Sequence, residues 1–155
     1  MRFSYLALVI ILLVVLGVVG YGLYDWFKTR EGLMKIEIYV EKMRVTITPS
    51  MDIGLGLDLT LVNKGSDSVS IDRILYEIYI NNISVGVGNY SSRIDIAPGG
   101  VVSVTSQIIL HRASLGEAVI NSLLSGKYST KLTVYLYKDT LLGSLKVIKE
   151  IVYSE

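Results

Sequence analysis

Cysteine is absent, histidine occurs once (His111) and the net charge is only +1, and each shortage closes off a class of chemistry. Without thiols the chain has no disulfide, no thiolate nucleophile and no thiolate metal site. A lone imidazole leaves triads and histidine metal centres without their partners. Charged residues are 19 % of the 155, nearly balanced in sign and not gathered into a basic stripe, so nucleic acid is not an expected partner. Nothing in the remaining residues points to catalysis, and a non-enzymatic protein without a cofactor is expected. Apolar residues, in contrast, make up 51 % of the chain, above the usual share for a globular domain.

Much of that excess lies at the N-terminus. Phe3 to Tyr24 contains no charged residue. As a helix this run would be about 33 Å long, enough for a hydrocarbon core of roughly 30 Å. Tyr5 at one end and Tyr21, Tyr24 and Trp26 at the other stand where interfacial aromatics belong. Residues 1–27 are therefore expected to be a transmembrane anchor, the alternative being a cleaved signal peptide with Gly17–Tyr21 as its small-residue region. Basic residues after the span (Lys28, Arg30, Lys35) outnumber those before it, which on a literal count favours a cytoplasmic domain. An N-terminal anchor followed by a folded β domain behaves as an uncleaved export signal, and the sequons Asn82-Ile83-Ser84 and Asn89-Tyr90-Ser91 fit glycosylation of an exported domain. An extracytoplasmic domain on a single-pass protein is the expectation.

Beyond Gly32 the period changes to two. Ile53, Leu55, Leu57, Leu59 and Leu61 alternate with Gly54, Gly56, Asp58, Thr60 and Val62, the pattern of a strand with one buried face. Asn63-Lys64-Gly65 ends it as a turn. Upstream, Met34, Ile36, Ile38 and Val40 alternate in one phase and Met43, Val45 and Ile47 in the other, which predicts a bulge near Glu41-Lys42. Residues 28–43 are expected to be a short connector and stalk strand, with the domain proper over 44–155. Asn81-Asn82 predicts a hairpin, Pro98-Gly99-Gly100 a turn, and Gly86 and Gly88 close backbone approach or a bulge. Residues 113–125 show the one helical pattern after the anchor. Ser114 and Glu117 are spaced as a capping box, Leu115, Ala118, Val119, Ser122 and Leu123 share a face, and Gly126 stops it.

Asp52, Asp58, Asp67 and Asp72 match no calcium-loop spacing and read as turn residues. The eleven tyrosines are unusual. Tyr135 and Tyr137 share one strand face, as a partner patch or as cross-strand filling. An apolar cleft between sheets, lined by Leu115, Val119 and Leu123, is a candidate lipid site against the default of a closed core.

The order of these features resembles a known family. Leu59-Thr60-Leu61-Val62-Asn63-Lys64-Gly65 is followed by Ile74–Asn82, Val85-Gly86-Val87-Gly88, Ile94-Asp95-Ile96-Ala97-Pro98-Gly99-Gly100, a strand over Val101–Leu110 and a helix. Over about Arg44 to Val147 this is similar to the type-2 late embryogenesis abundant (LEA) proteins, or water stress and hypersensitive response (WHy) domain, in its membrane-anchored form. That family usually has Asn-Pro where this chain has Asn63-Lys64. The resemblance implies a mainly β chain: an N-terminal transmembrane helix, then a seven- to eight-stranded immunoglobulin/fibronectin-III-like antiparallel sandwich with one short helix. It also implies no catalytic residues, a role in stress or desiccation tolerance, and binding of lipid or protein partners at the membrane surface. The competing expectation is a structural subunit of a surface assembly, similar to archaellum stator or pilin-like proteins.

Overall fold

The computed structural model describes the backbone of residues 2–153 and the side chains of residues 5–153. A first helix, α1 (Arg2–Met34), runs directly into nine strands: β1 (Ile36–Ile47), β2 (Ile53–Asn63), β3 (Val69–Ile71), β4 (Arg73–Ile80), β5 (Ile83–Tyr90), β6 (Ile94–Ile96), β7 (Val101–Leu110), β8 (Thr130–Thr140) and β9 (Gly143–Tyr153). A 3-10 turn (Arg112–Ser114) and a short helix, α2 (Glu117–Ser125), separate β7 from β8. The strands pair antiparallel as β1-β2-β7, β5-β4-β8-β9 and a small β3-β6 ribbon. β5 lies beside β7 and β9 beside β1, so the two large sheets meet at both edges as a sandwich. The strand count exceeds the expected seven or eight because the stretch from Val69 to Ile80 divides at Asp72 into β3 and β4, where the phase of its alternation shifts.

The alternation of β2 sets the core. Leu55, Leu57, Leu59 and Leu61 are all at most 2 % exposed, facing Ile74, Tyr76, Ile78 and Ile80 of β4 and Leu132, Val134 and Leu136 of β8 in one buried cluster. The opposite face of β2 is less open than alternation predicts. Arg44 reaches across to Asp58, its Nη2 donating to both carboxylate oxygens at 2.8 and 3.0 Å, and Thr60 donates to Glu41 at 2.8 Å. Long side chains of β1 thus roof the outer face of its neighbour. The phase change in β1 is a bulge: the register with β2 shifts between Val40 and Lys42. Asn81 and Asn82 both have positive φ (49° and 66°), which a tight primed turn requires.

Residues 28–43 coincide with the last turns of α1 and the first part of β1, which pairs with β2 from Ile36 onward. The polar exit Lys28–Gly32 is helical because tertiary contacts hold it. Leu33 is fully buried, Trp26 packs against the core, and the Lys149 ammonium on β9 donates to the Met34 carbonyl at 2.6 Å. A cation from another element thereby meets the negative end of a helix whose own last turn holds no basic residue. Burial lowers the Lys149 pKa, opposed by the Glu37 carboxylate.

α2 begins later than its sequence suggests. Arg112–Ser114 close a 3-10 turn, Gly116 occupies the N-cap, and the Ser114–Glu117 capping box does not form. Gly126 ends the helix in the left-handed region at φ 68°. Its buried face is Val119, Ile120 and Leu123.

Candidate functional site

α1 changes character along its length. From Tyr5 to Tyr21 every side chain is exposed, and nearly all are apolar. The helix is long and apolar enough to cross a membrane. The span expected from Phe3 to Tyr24 lies within it; the Phe3 side chain is outside the described ones, and Tyr24 is exposed. From Gly22 onward the helix docks along β9 and β3. Gly22 is buried beside Leu142, and a Cβ at Gly32 would stand 3.1 Å from a Val69 methyl.

This docking opens a cleft of about 360 Å³ between the polar turns of α1 and the loop 64–68. Its charged lining is balanced: Asp25, Glu31 and Asp67 against Lys28, Lys35 and Lys138. Lys35 bonds Glu31 at 2.7 Å, which holds the Glu31 carboxyl below its ordinary pKa and raises that of Lys35. Lys28 approaches Asp67 at 3.9 Å. Lys138 is held on the rim by Asp72, at 3.0 and 3.1 Å. Burial alone would raise the Asp72 pKa, but the Asp139 N–H and the Lys138 ammonium outweigh it, and the net shift is downward. The cavity is half-open, and its three cations are each paired with a carboxylate of the protein.

Asn63 shapes one wall. It is fully buried and takes part in six hydrogen bonds. Its side-chain amide donates to the carbonyls of Asp67, Ile96 and Ala97 at 2.7, 3.1 and 3.2 Å, and its side-chain oxygen accepts from Gly65 N–H at 2.9 Å. Its backbone exchanges bonds with Gly99 and Gly100. One side chain thus fixes both the 63–67 turn and the Pro98-Gly99-Gly100 turn. The Lys64 N–H donates to the Lys35 carbonyl at 3.1 Å, a bond that proline at this position is unable to make.

The other candidates fall elsewhere. Leu115 is half-buried, and Val119 and Leu123 lie in the core at the opposite end of the sandwich. Asn82 and Asn89 are both exposed, on the β4–β5 hairpin and on β5. The four aspartates are separated: Asp58 binds Arg44, Asp67 faces Lys28, Asp72 holds Lys138, and Asp52 accepts from Arg112 N–H and His111 at 3.2 and 3.3 Å. Tyr79, Tyr135 and Tyr137 share the outer face of the larger sheet, each beneath a cation: Lys131 at 5.1 Å, Lys146 at 5.5 Å and Arg73 at 4.5 Å. Tyr76, on the inner face, crosses the sandwich to donate to Ser106 and passes over Gly88, where a Cβ would stand 2.2 Å from its ring. That is the close approach the glycine pair predicts. Sequence reading missed the cleft, because its lining is drawn from positions 25 to 138 and no local pattern joins them.

No protein-family model and no curated protein matches the chain. Solved structures do. The solution structure of AT1g01470 from Arabidopsis thaliana superposes with a TM-score of 0.54 at 10 % identity, covering 76 % of this chain and 78 % of the other. This likeness shows the fold. A candidate late embryogenesis abundant protein, At2g46140.1, scores 0.46 at 12 % identity over 90 % of this chain and 83 % of its own. A protein from Archaeoglobus fulgidus scores 0.45 at 13 % identity over 76 % and 98 %.

Proposed function

We propose that this chain is a non-enzymatic, single-pass membrane protein of the LEA type-2 kind. In this reading α1 crosses the bilayer, and the sandwich sits outside the cytoplasm directly on the membrane. There the cleft beside α1 takes polar lipid headgroups as part of a response to water stress. The observation that carries the reading is the unbroken run of α1 from its exposed apolar part into its docked part. A flexible linker would let the domain wander, whereas a helix clamped by Leu33 and Lys149 holds the cleft at the level where headgroups lie. The order of motifs shared with the LEA type-2 family supports the class.

Lipid mass spectrometry on the full-length protein purified in detergent tests the ligand. Retained phospholipid in the wild type, lost in a Lys28→Glu/Lys138→Glu variant that still melts cooperatively, is the expected result. Discrete polymers without lipid in native mass spectrometry would contradict it and favour the surface-assembly class. Protease added to intact cells is expected to remove the sandwich. Cleavage only after lysis would reverse the topology.

A further inference from the structure

The β8–β9 hairpin carries a feature that neither the cleft nor the core uses. Its tip reads Thr140-Leu141-Leu142-Gly143, two leucines where turns ordinarily place polar residues. Leu141 is 69 % exposed and Leu142 49 %. The tip does not hang free in solution, because Leu142 Cδ2 would stand 3.2 Å from a Cβ on Gly22 of α1. Gly22 lies inside the apolar run that ends at Tyr24. At 1.5 Å per residue it is about 3 Å deeper than that end. Tyr21, Leu23 and Tyr24 expose their side chains at the same level. Three of the turn's polar groups are paired within it: Thr140 Oγ1 donates to the Gly143 carbonyl at 2.8 Å and accepts from Leu142 N–H at 3.3 Å. Groups satisfied in this way cost less to bring into a medium without water.

We infer that the β8–β9 hairpin tip is a second membrane contact, with Leu141 and Leu142 dipping into the headgroup–acyl boundary of the bilayer beside α1. The occupant of this apolar tip is lipid, because the tip is continuous with the exposed apolar surface of the helix. The inference rests on the proposed span. Its consequence is mechanical: a helix alone leaves the sandwich free to tilt, whereas a helix and a hairpin at one depth fix which face meets the membrane.

The natural absence of cysteine makes the test clean. Three single-cysteine forms of the full chain, Leu141→Cys, Asn82→Cys and Val15→Cys, carry an environment-sensitive fluorophore and are reconstituted into phosphatidylcholine vesicles containing spin-labelled lipid. The Leu141 probe is expected to show blue-shifted emission and to lose intensity to the spin label, as the Val15 probe does, while the Asn82 probe behaves as in water. A water-like, unquenched Leu141 probe with a quenched Val15 probe overturns the inference and leaves the span standing. A blue-shifted but unquenched Leu141 probe overturns it in favour of a protein contact. An unquenched Val15 probe overturns both. Because residue 141 is largely exposed, its substitution is compatible with folding, and a cooperative melt of each labelled form verifies this.

Discussion

The two halves of α1 are one continuous helix, yet they are stabilised by different surroundings. Residues 5–21 expose apolar side chains on every side, and no part of the sandwich touches that stretch closely enough to bury it. Residues 22–34 carry charges, bury Leu33 completely and end on a lysine from β9. In the first half the sandwich leaves the side chains uncovered. In the second, the chain covers them itself. Hydropathy therefore identifies the first half and overlooks the second, since a short polar helix is held by its packing rather than its propensity.

Leucines provide the sharpest way to break this comparison. Leu33→Ala opens a cavity in a closed site and should cost about 3 kcal/mol. Leu13→Ala, in the exposed half, should leave thermal unfolding of the sandwich unchanged; circular dichroism of both variants in detergent checks the contrast. Asn63→Ala strips three carbonyls of their donor at the end of β2. It should cost about 2 kcal/mol and loosen the cleft wall, read by denaturant unfolding and by amide exchange at 63–67. A smaller loss, about 1 kcal/mol from one missing bond, is expected for Lys64→Pro. It should fall on the junction with α1, so amide exchange at Lys35 should rise more than exchange in β8. A wild-type stability there would mean that the Lys64–Lys35 bond does not stabilise the junction.

The smallest effect is one of pH. Asp72 has a lowered pKa in the folded protein, so the stability it lends is complete above the ordinary aspartate range, about 4. It drains away as pH falls through the folded value. The melting temperature of the wild type should decline below about pH 4 more steeply than that of Asp72→Asn. Parallel curves would show that Lys138 is not anchored by this carboxylate.

Much of the sandwich is legible in the residues themselves. The strict alternation of Ile53 to Leu61, the phase break at Glu41-Lys42, the Asn81-Asn82 turn and the Gly126 stop each reflect a local rule, and the structure realises each locally. What local rules do not reach is contributed by distant partners. Asn63 reads as a turn residue, but its bonds to Ile96 and Ala97 span more than thirty positions. Ser114 has the spacing of a cap, yet the 3-10 turn it sits in displaces the helix start to Glu117. The cleft is legible only after α1 is seen to continue to Met34, which Leu33, buried among residues of both sheets, and Lys149 decide.

The central claim is that the last turns of α1 are clamped to the sandwich when the protein is in a bilayer. Gly32 and Val69 face each other across that junction, and the chain has no cysteine to interfere. A Gly32→Cys/Val69→Cys form, reconstituted in vesicles and oxidised mildly, should lose two thiols per chain and join the peptides that carry residues 32 and 69. Free thiols at both positions after oxidation, with the sandwich still folded, would mean that the domain swings on a loose tether.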